Sequence, residues 1–136
     1  MEKSQYQILR DLAIKSSKNA YSPYSNAAVG SAVLTDTGEY FSGCNIENAS
    51  YGGSVCAERV AIWNAISANN SIKIKLIYVY TTTGWPPCGF CRQVMAEFAD
   101  KNLKIIIGNI NGDLETINFE HLLPHQFNQS KLLNLI

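Results

Sequence analysis

Two short segments, Cys56-Ala57-Glu58 and Pro87-Cys88-Gly89-Phe90-Cys91, constrain this chain more than any other feature. They stand far apart in sequence, so a fold that uses them together must bring two distant segments to one point. Three thiolates suit a tetrahedral zinc ion and leave its fourth position free for water. A water held there ionises far more easily than bulk water. Glu58 is then placed to move protons beside it. A lone glutamate is usually a solvated helix carboxylate; its position next to a ligand favours the chemical role. Structural zinc sites usually close with four protein ligands. The pattern therefore predicts a catalytic zinc centre, with one ion per chain held by Cys56, Cys88 and Cys91.

Both segments read as helix starts. Helix N-termini offer free N–H groups and partial positive charge, which offset the negative charge of a three-thiolate zinc site. Arg59 adds a full positive charge there. Pro87 suits a first helical turn, where its missing N–H is not needed. Within a regular helix, Cys56 and Glu58 would diverge by roughly 200°. They converge on one ion only if Cys56 sits at the very start, outside regular geometry, and Gly52-Gly53-Ser54 permits that.

The rest of the chain alternates helix and strand. Residues 4–19 read as an amphipathic helix with Leu9, Leu12, Ala13 and Ser16 on one face. Residues 21–26 form a loop, and 28–35 and 39–45 a hairpin around Asp36-Thr37-Gly38. Helices follow over 56–68 and 88–99, with a strand over 73–82 between them. Residues 103–108 read as a short buried strand. Asn111-Gly112-Asp113 reads as a turn leading toward another short strand, and 119–122 as a last short helix. The expected product is an α/β sheet sandwiched between helices.

The length of 136 residues suits one domain, spanning 1–136. A charged fraction of 16% is low for a small monomer's surface and fits a chain that buries part of itself against other copies. Net charge is zero with no Lys/Arg run, which argues against a nucleic-acid partner. No apolar stretch reaches membrane-spanning length. The first residues lack the apolar segment of a signal peptide, so a cytoplasmic location is expected. In that compartment four cysteines favour metal or redox chemistry over disulfides. Cys88 and Cys91 alone could be a redox pair, but that reading leaves Cys56-Ala57-Glu58 unexplained. Cys44 reads as a spare buried thiol. His121 and His125 read as surface residues.

Together these segments resemble the cytidine deaminase family in its small, homotetrameric, three-cysteine form. The likeness covers almost the whole chain. Tyr21-Ser22-Pro23-Tyr24-Ser25 and Val29-Gly30 resemble the family's opening loop and first strand. Residues 43–51, from Gly43 through Asn45 and Glu47 to Tyr51, resemble its ribose-binding segment. Cys56-Ala57-Glu58-Arg59 and Pro87-Cys88-Gly89-Phe90-Cys91-Arg92-Gln93 resemble its zinc segments, and 120–127 its C-terminal segment. The resemblance implies a three-layer αβα sandwich on a five-stranded mixed sheet. It implies hydrolytic deamination of cytidine and deoxycytidine in pyrimidine salvage, by a homotetramer acting on a free nucleoside. Glu58 would carry protons from the attacking water to N3 and to the leaving amine. The Ala57 backbone would meet the exocyclic amine, and Asn45 and Glu47 the ribose. Arg59 would neutralise the thiolates. Tyr51 and Phe127 would approach a neighbouring subunit's pocket.

Two departures from the family pattern stand out. Ala27 occupies a position where the family usually has a phenylalanine that packs on the pyrimidine. Phe90 stands where it usually has alanine, and Trp85 replaces a smaller residue nearby. A rebuilt base pocket, with Phe90 refilling the space left by Ala27, is the expectation. It motivates an alternative substrate, a modified cytidine or related nucleoside. Deamination of a base within tRNA or DNA would need a basic surface, and a structural zinc module a fourth ligand.

Overall fold

The computed structural model describes residues 2–134. Eleven elements follow in order. They are α1 (Gln5–Ser17), β1 (Gly30–Thr35), β2 (Tyr40–Cys44), a 3-10 turn (Tyr51–Gly53), α2 (Ala57–Ala68) and β3 (Ile74–Tyr80). After these come α3 (Gly89–Phe98), β4 (Ala99–Asn109), β5 (Gly112–Asn118), α4 (Phe119–Leu122) and α5 (Gln129–Leu133).

The five strands form one sheet in the order β2-β1-β3-β4-β5. All neighbours are antiparallel except β3 and β4, which run parallel and are joined through α3. The sheet is therefore mixed. Strand alternation sends side chains to two opposite faces. Val33, Ile77, Val79, Ile105 and Ile107 pack on one face with Ala61, Ile62 and Ala65 of α2 and with Cys91 and Met95 of α3. Ala32, Leu34, Leu76, Tyr78 and Ile106 pack on the other with Leu9 and Ala13 of α1. This gives the three αβα layers.

Two glycines allow the helices to sit this close. A Cβ on Gly30 would lie 1.8 Å from the Ala13 carbonyl oxygen of α1, and one on Gly43 would lie 2.6 Å from the Ala61 nitrogen of α2. On the α1 face, Arg10 donates to the Tyr78 hydroxyl at 2.7 Å and to the Asn109 carbonyl at 2.8 Å. The Tyr78 hydroxyl in turn donates to Asp113. This chain of contacts ties α1 to the far strands and satisfies a phenol that is otherwise wrapped in apolar side chains.

Most boundaries expected from sequence hold to within two residues. Strand β4 is longer than the expected 103–108, beginning at Ala99 directly after α3. Its polar stretch, Asp100-Lys101-Asn102, spans a register irregularity between Ile74 and Leu76 of β3, where regular alternation lapses. Helix α5 was not expected: it is short, has no buried residue, and is capped by the Asn128 side chain at the Lys131 N–H. Cys44 is only partly buried, because it ends the edge strand β2 instead of entering the core.

Candidate metal centre and adjoining cavity

Cys56 and Cys88 are the N-cap residues of α2 and α3, in extended conformation with ψ of 154° and 167°. Cys91 lies in the first turn of α3, and its N–H donates to Cys88 Sγ at 3.5 Å. The caps thus resolve the angular conflict noted above: Cys56 stands outside the helix and Glu58 inside it. The Sγ atoms of Cys56 and Cys88 are 3.7 Å apart, those of Cys88 and Cys91 3.5 Å, and all three lie within 4.8 Å of one another. Thiolates bound to one zinc at about 2.3 Å sit about 3.8 Å apart on a tetrahedron. The two edges that meet at Cys88 match that spacing.

The electrostatics fit as well. Arg59 donates to Cys56 Sγ at 3.4 Å. The Cys91 hydrogen bond, with Arg59 behind it, holds the Cys56 thiol well below the usual thiol range. Cys91 is pushed up, first because its proton is shared with Cys56 and then by burial. One sulfur is thereby prepared as a thiolate, the form that binds metal. The Arg59 guanidinium is covered by aromatic rings, with the Phe90 centroid 4.0 Å and the Trp63 centroid 5.9 Å from its central carbon. Its Nε is buried without a hydrogen-bond partner. Glu58 is 4% exposed. Burial is the main cause that pushes its carboxyl up to about 7, aided by the Cys56 charge.

A cavity of about 390 Å³ opens beside the sulfurs. Its inner end, at the sulfurs, is formed by Cys56, Ala57, Glu58 and Cys88, of which Ala57 and Glu58 are buried and Cys88 is exposed. Its outer end is formed by Ser25, Asn45 and Glu47. Between them the wall is mostly apolar, from Ala27, Val29, Val79, Trp85 and Pro86. Backbone pairing builds this arrangement. Ile46 pairs antiparallel with Val55, the residue before Cys56, and parallel with Tyr21 of the opening loop. The Asn45–Glu47 segment is held between the loop and the first cysteine.

Asn45 and Glu47 both line the cavity, but each already has partners. The Asn45 side chain donates to the Ala27 carbonyl at 2.7 Å and accepts from the Val29 N–H at 2.9 Å. Glu47 accepts from the Tyr24 and Ser25 N–H groups at 2.9 and 3.1 Å and from the Ser25 hydroxyl. The Ser25 hydroxyl is the main cause that holds the Glu47 carboxyl below its usual range.

Phe90 corrects an expectation. It does not line the cavity; it is 63% exposed and its ring lies against Arg59. One residue after Gly89 in the first turn of α3, it diverges from the side that carries Cys91. It therefore does not fill space left by Ala27, which does line the cavity. Tyr51 is 82% exposed, and both it and Phe127 lie outside this wall. His121 and His125 are exposed. Arg92 and Gln93 have a role that the sequence reading missed. Arg92 donates to the Pro87 and Leu122 carbonyls at 2.8 and 3.0 Å, and Gln93 to the Phe127 carbonyl at 2.7 Å. They bind the C-terminal segment to the cysteine helix. Their adjacency to Cys91 was the only available signal. A larger polar recess of about 740 Å³ lies near the start of β4, between Asp100, Lys104 and Glu120. Among the described residues, the only metal-ligating cluster is the three cysteines.

Residues 3–107 match the family described as the cytidine and deoxycytidylate deaminase zinc-binding region. The chain is 43% identical over 122 residues to a cytidine deaminase of Halalkalibacterium halodurans, covering 89% of this chain and 92% of that protein. It is 40% identical over 119 residues to a cytidine deaminase of Sporosarcina psychrophila, covering 87% and 88%. The crystal structure of cytidine deaminase from Burkholderia pseudomallei superposes with a TM-score of 0.84 at 39% identity, covering 91% of this chain and all of that one.

Proposed function

The chain belongs to the cytidine and deoxycytidylate deaminase family, and from that premise we infer that it is a hydrolase that deaminates cytidine. The reaction replaces the amine on C4 of the pyrimidine with oxygen from water and releases ammonia. We extend this reading to deoxycytidine, to a role in pyrimidine salvage in the cytoplasm, and to a homotetramer with one zinc per chain. The observation that carries it is the three-sulfur cluster, with two edges at tetrahedral zinc spacing, beside a buried glutamate that lines a largely apolar cavity.

Cys56, Cys88 and Cys91 would hold the zinc, with Arg59 offsetting their charge. Zinc held there supplies a Lewis acid that makes water a nucleophile near neutral pH. Glu58 takes a proton from that water and delivers it to N3 of the ring. It then carries the remaining proton of that water to the amine on C4, which departs as ammonia. A carboxyl only 4% exposed exchanges protons with its neighbours in the cavity more readily than with bulk solvent. The Ala57 backbone meets the exocyclic amine. Asn45 and Glu47 receive the ribose at the outer end, which excludes a polymer as the usual substrate. Tyr51 and Phe127 approach the pocket of a neighbouring subunit.

The test is to mix purified, zinc-analysed protein with cytidine, deoxycytidine, cytosine and a cytidine-containing oligonucleotide, and to measure ammonia. Rapid release from the two nucleosides alone supports the reading. Release from the oligonucleotide at comparable efficiency contradicts it.

A further inference from the structure

A pyrimidine is a flat aromatic ring, and an apolar cavity holds it best when one wall offers a flat face. Of the residues that line the cavity, only Trp85 is aromatic. Ala27, Val29 and Val79 supply small aliphatic groups, and Phe90 faces elsewhere. Trp85 is also held in place. Its backbone N–H donates to Thr81 Oγ1 at 3.0 Å, as does the Gly84 backbone N–H at 2.7 Å. Thr81 itself is 3% exposed. Gly84 has a φ of 88°, which favours glycine, and a Cβ there would meet a Leu114 methyl at 2.3 Å. Pro86 and Pro87 then stiffen the short path to Cys88. The position of Trp85 is thereby referenced to the metal ligands, where the reacting carbon must lie. The residue is nonetheless 48% exposed, a large apolar surface left uncovered by the rest of the chain.

We propose that Trp85 is a substrate-binding residue whose indole forms the face against which the pyrimidine ring packs, and that it largely sets affinity for the base. The proposal rests on the nucleoside deaminase reading. It assigns the aromatic wall to the segment leading into Cys88 and not to the opening loop, where Ala27 stands. The contact is present before and during reaction, so its loss falls on binding more than on turnover.

The experiment compares Trp85→Ala and Trp85→Phe with the unaltered protein, each checked for zinc content, secondary structure and mass by light scattering. Trp85→Ala is expected to raise the KM for cytidine about tenfold with kcat changed less than about threefold, and Trp85→Phe to stay within about threefold for both. Uridine, the product, is expected to quench the protein's tryptophan emission, and the quench to vanish in Trp85→Phe, in which Trp63 remains the only tryptophan. Three results would overturn the proposal. They are an unchanged KM in zinc-replete Trp85→Ala, a uridine quench that persists in Trp85→Phe, or a fall in oligomer mass in Trp85→Ala, which would make the residue an interface anchor. Failure of the unaltered protein to release ammonia from cytidine would instead be a failure of the functional reading, and is scored separately from the variants.

Discussion

The inner and outer ends of the cavity are built on different terms. At the inner end, two helix caps deliver three sulfurs to within 3.5–3.7 Å along the resolved edges, and the adjacent carboxyl is buried. One chain supplies the whole constellation. At the outer end, Asn45 and Glu47 sit in irregular segments with their polar atoms already spent on the opening loop. The aromatic residues expected to complete that end, Tyr51 and Phe127, stand exposed outside the wall, Tyr51 in a recess that shares Ser25, Glu47 and Ser54 with it. The difference teaches that reactivity and recognition are separable in this fold. The sulfurs and the buried carboxyl are positioned by helix starts, whereas Asn45 and Glu47 are positioned by hydrogen bonds between loops.

The largest expected effect comes from breaking the inner end. Ala in place of Cys56, Cys88 or Cys91 is expected to remove most of the zinc and abolish deamination, whereas Cys44→Ala keeps both, since that thiol ends an edge strand away from the cluster. Metal analysis alongside ammonia release checks this. Full zinc content in Cys88→Ala would remove the basis for the comparison.

Next in size is Glu58→Gln. The amide is close in shape and still fits a site that is 4% exposed, so fold and zinc are retained. Activity is expected to fall by about 10²–10⁴-fold, the usual worth of a placed proton-transfer group. Near-normal turnover in a zinc-loaded variant would show that protons travel another way.

A smaller loss is expected at the outer end. Glu47 is satisfied by Ser25 and two backbone N–H groups, so a substrate without ribose does not strand a buried charge. What Glu47→Gln removes is one charge-assisted hydrogen bond, worth about 1.5–3 kcal/mol. The kcat/KM for cytidine is then expected to fall about ten- to a hundredfold, with the much lower rate on free cytosine unchanged. Equal proportional losses on both substrates would mean that Glu47 holds the opening loop and does not contact ribose.

The smallest effect on the isolated fold is expected at Tyr51, which touches little within its own chain at 82% exposure. Tyr51→Ala should leave thermal stability of the subunit core within about 0.5 kcal/mol while lowering activity together with oligomer mass. Unchanged activity and mass would show that the outer end is complete without a neighbour.

The inner end was legible in the sequence because its chemistry depends on residue types at short, fixed spacings. Cys56 and Glu58 could serve one ion only across a helix boundary, and the boundary lies there. The αβα layering was legible for a similar reason, since Val33, Ile77 and Ile105 alternate with Leu34, Tyr78 and Ile106 to feed two cores. The outer end was less legible. Nothing local states that Glu47 will turn back onto Ser25, or that Phe90 will pair with Arg59 and leave the cavity to Trp85. Those outcomes depend on which loops meet in space. Helix α5 escaped because it has no buried stripe to create a periodic signal.

The central claim is that the three-cysteine corner is an open, catalytic zinc centre and not a closed structural one. X-ray absorption at the zinc edge of the purified protein tests it most directly. The account predicts three sulfur neighbours at about 2.3 Å and one oxygen or nitrogen neighbour at about 2.0 Å. Four sulfur neighbours with no lighter atom in the first shell would contradict it.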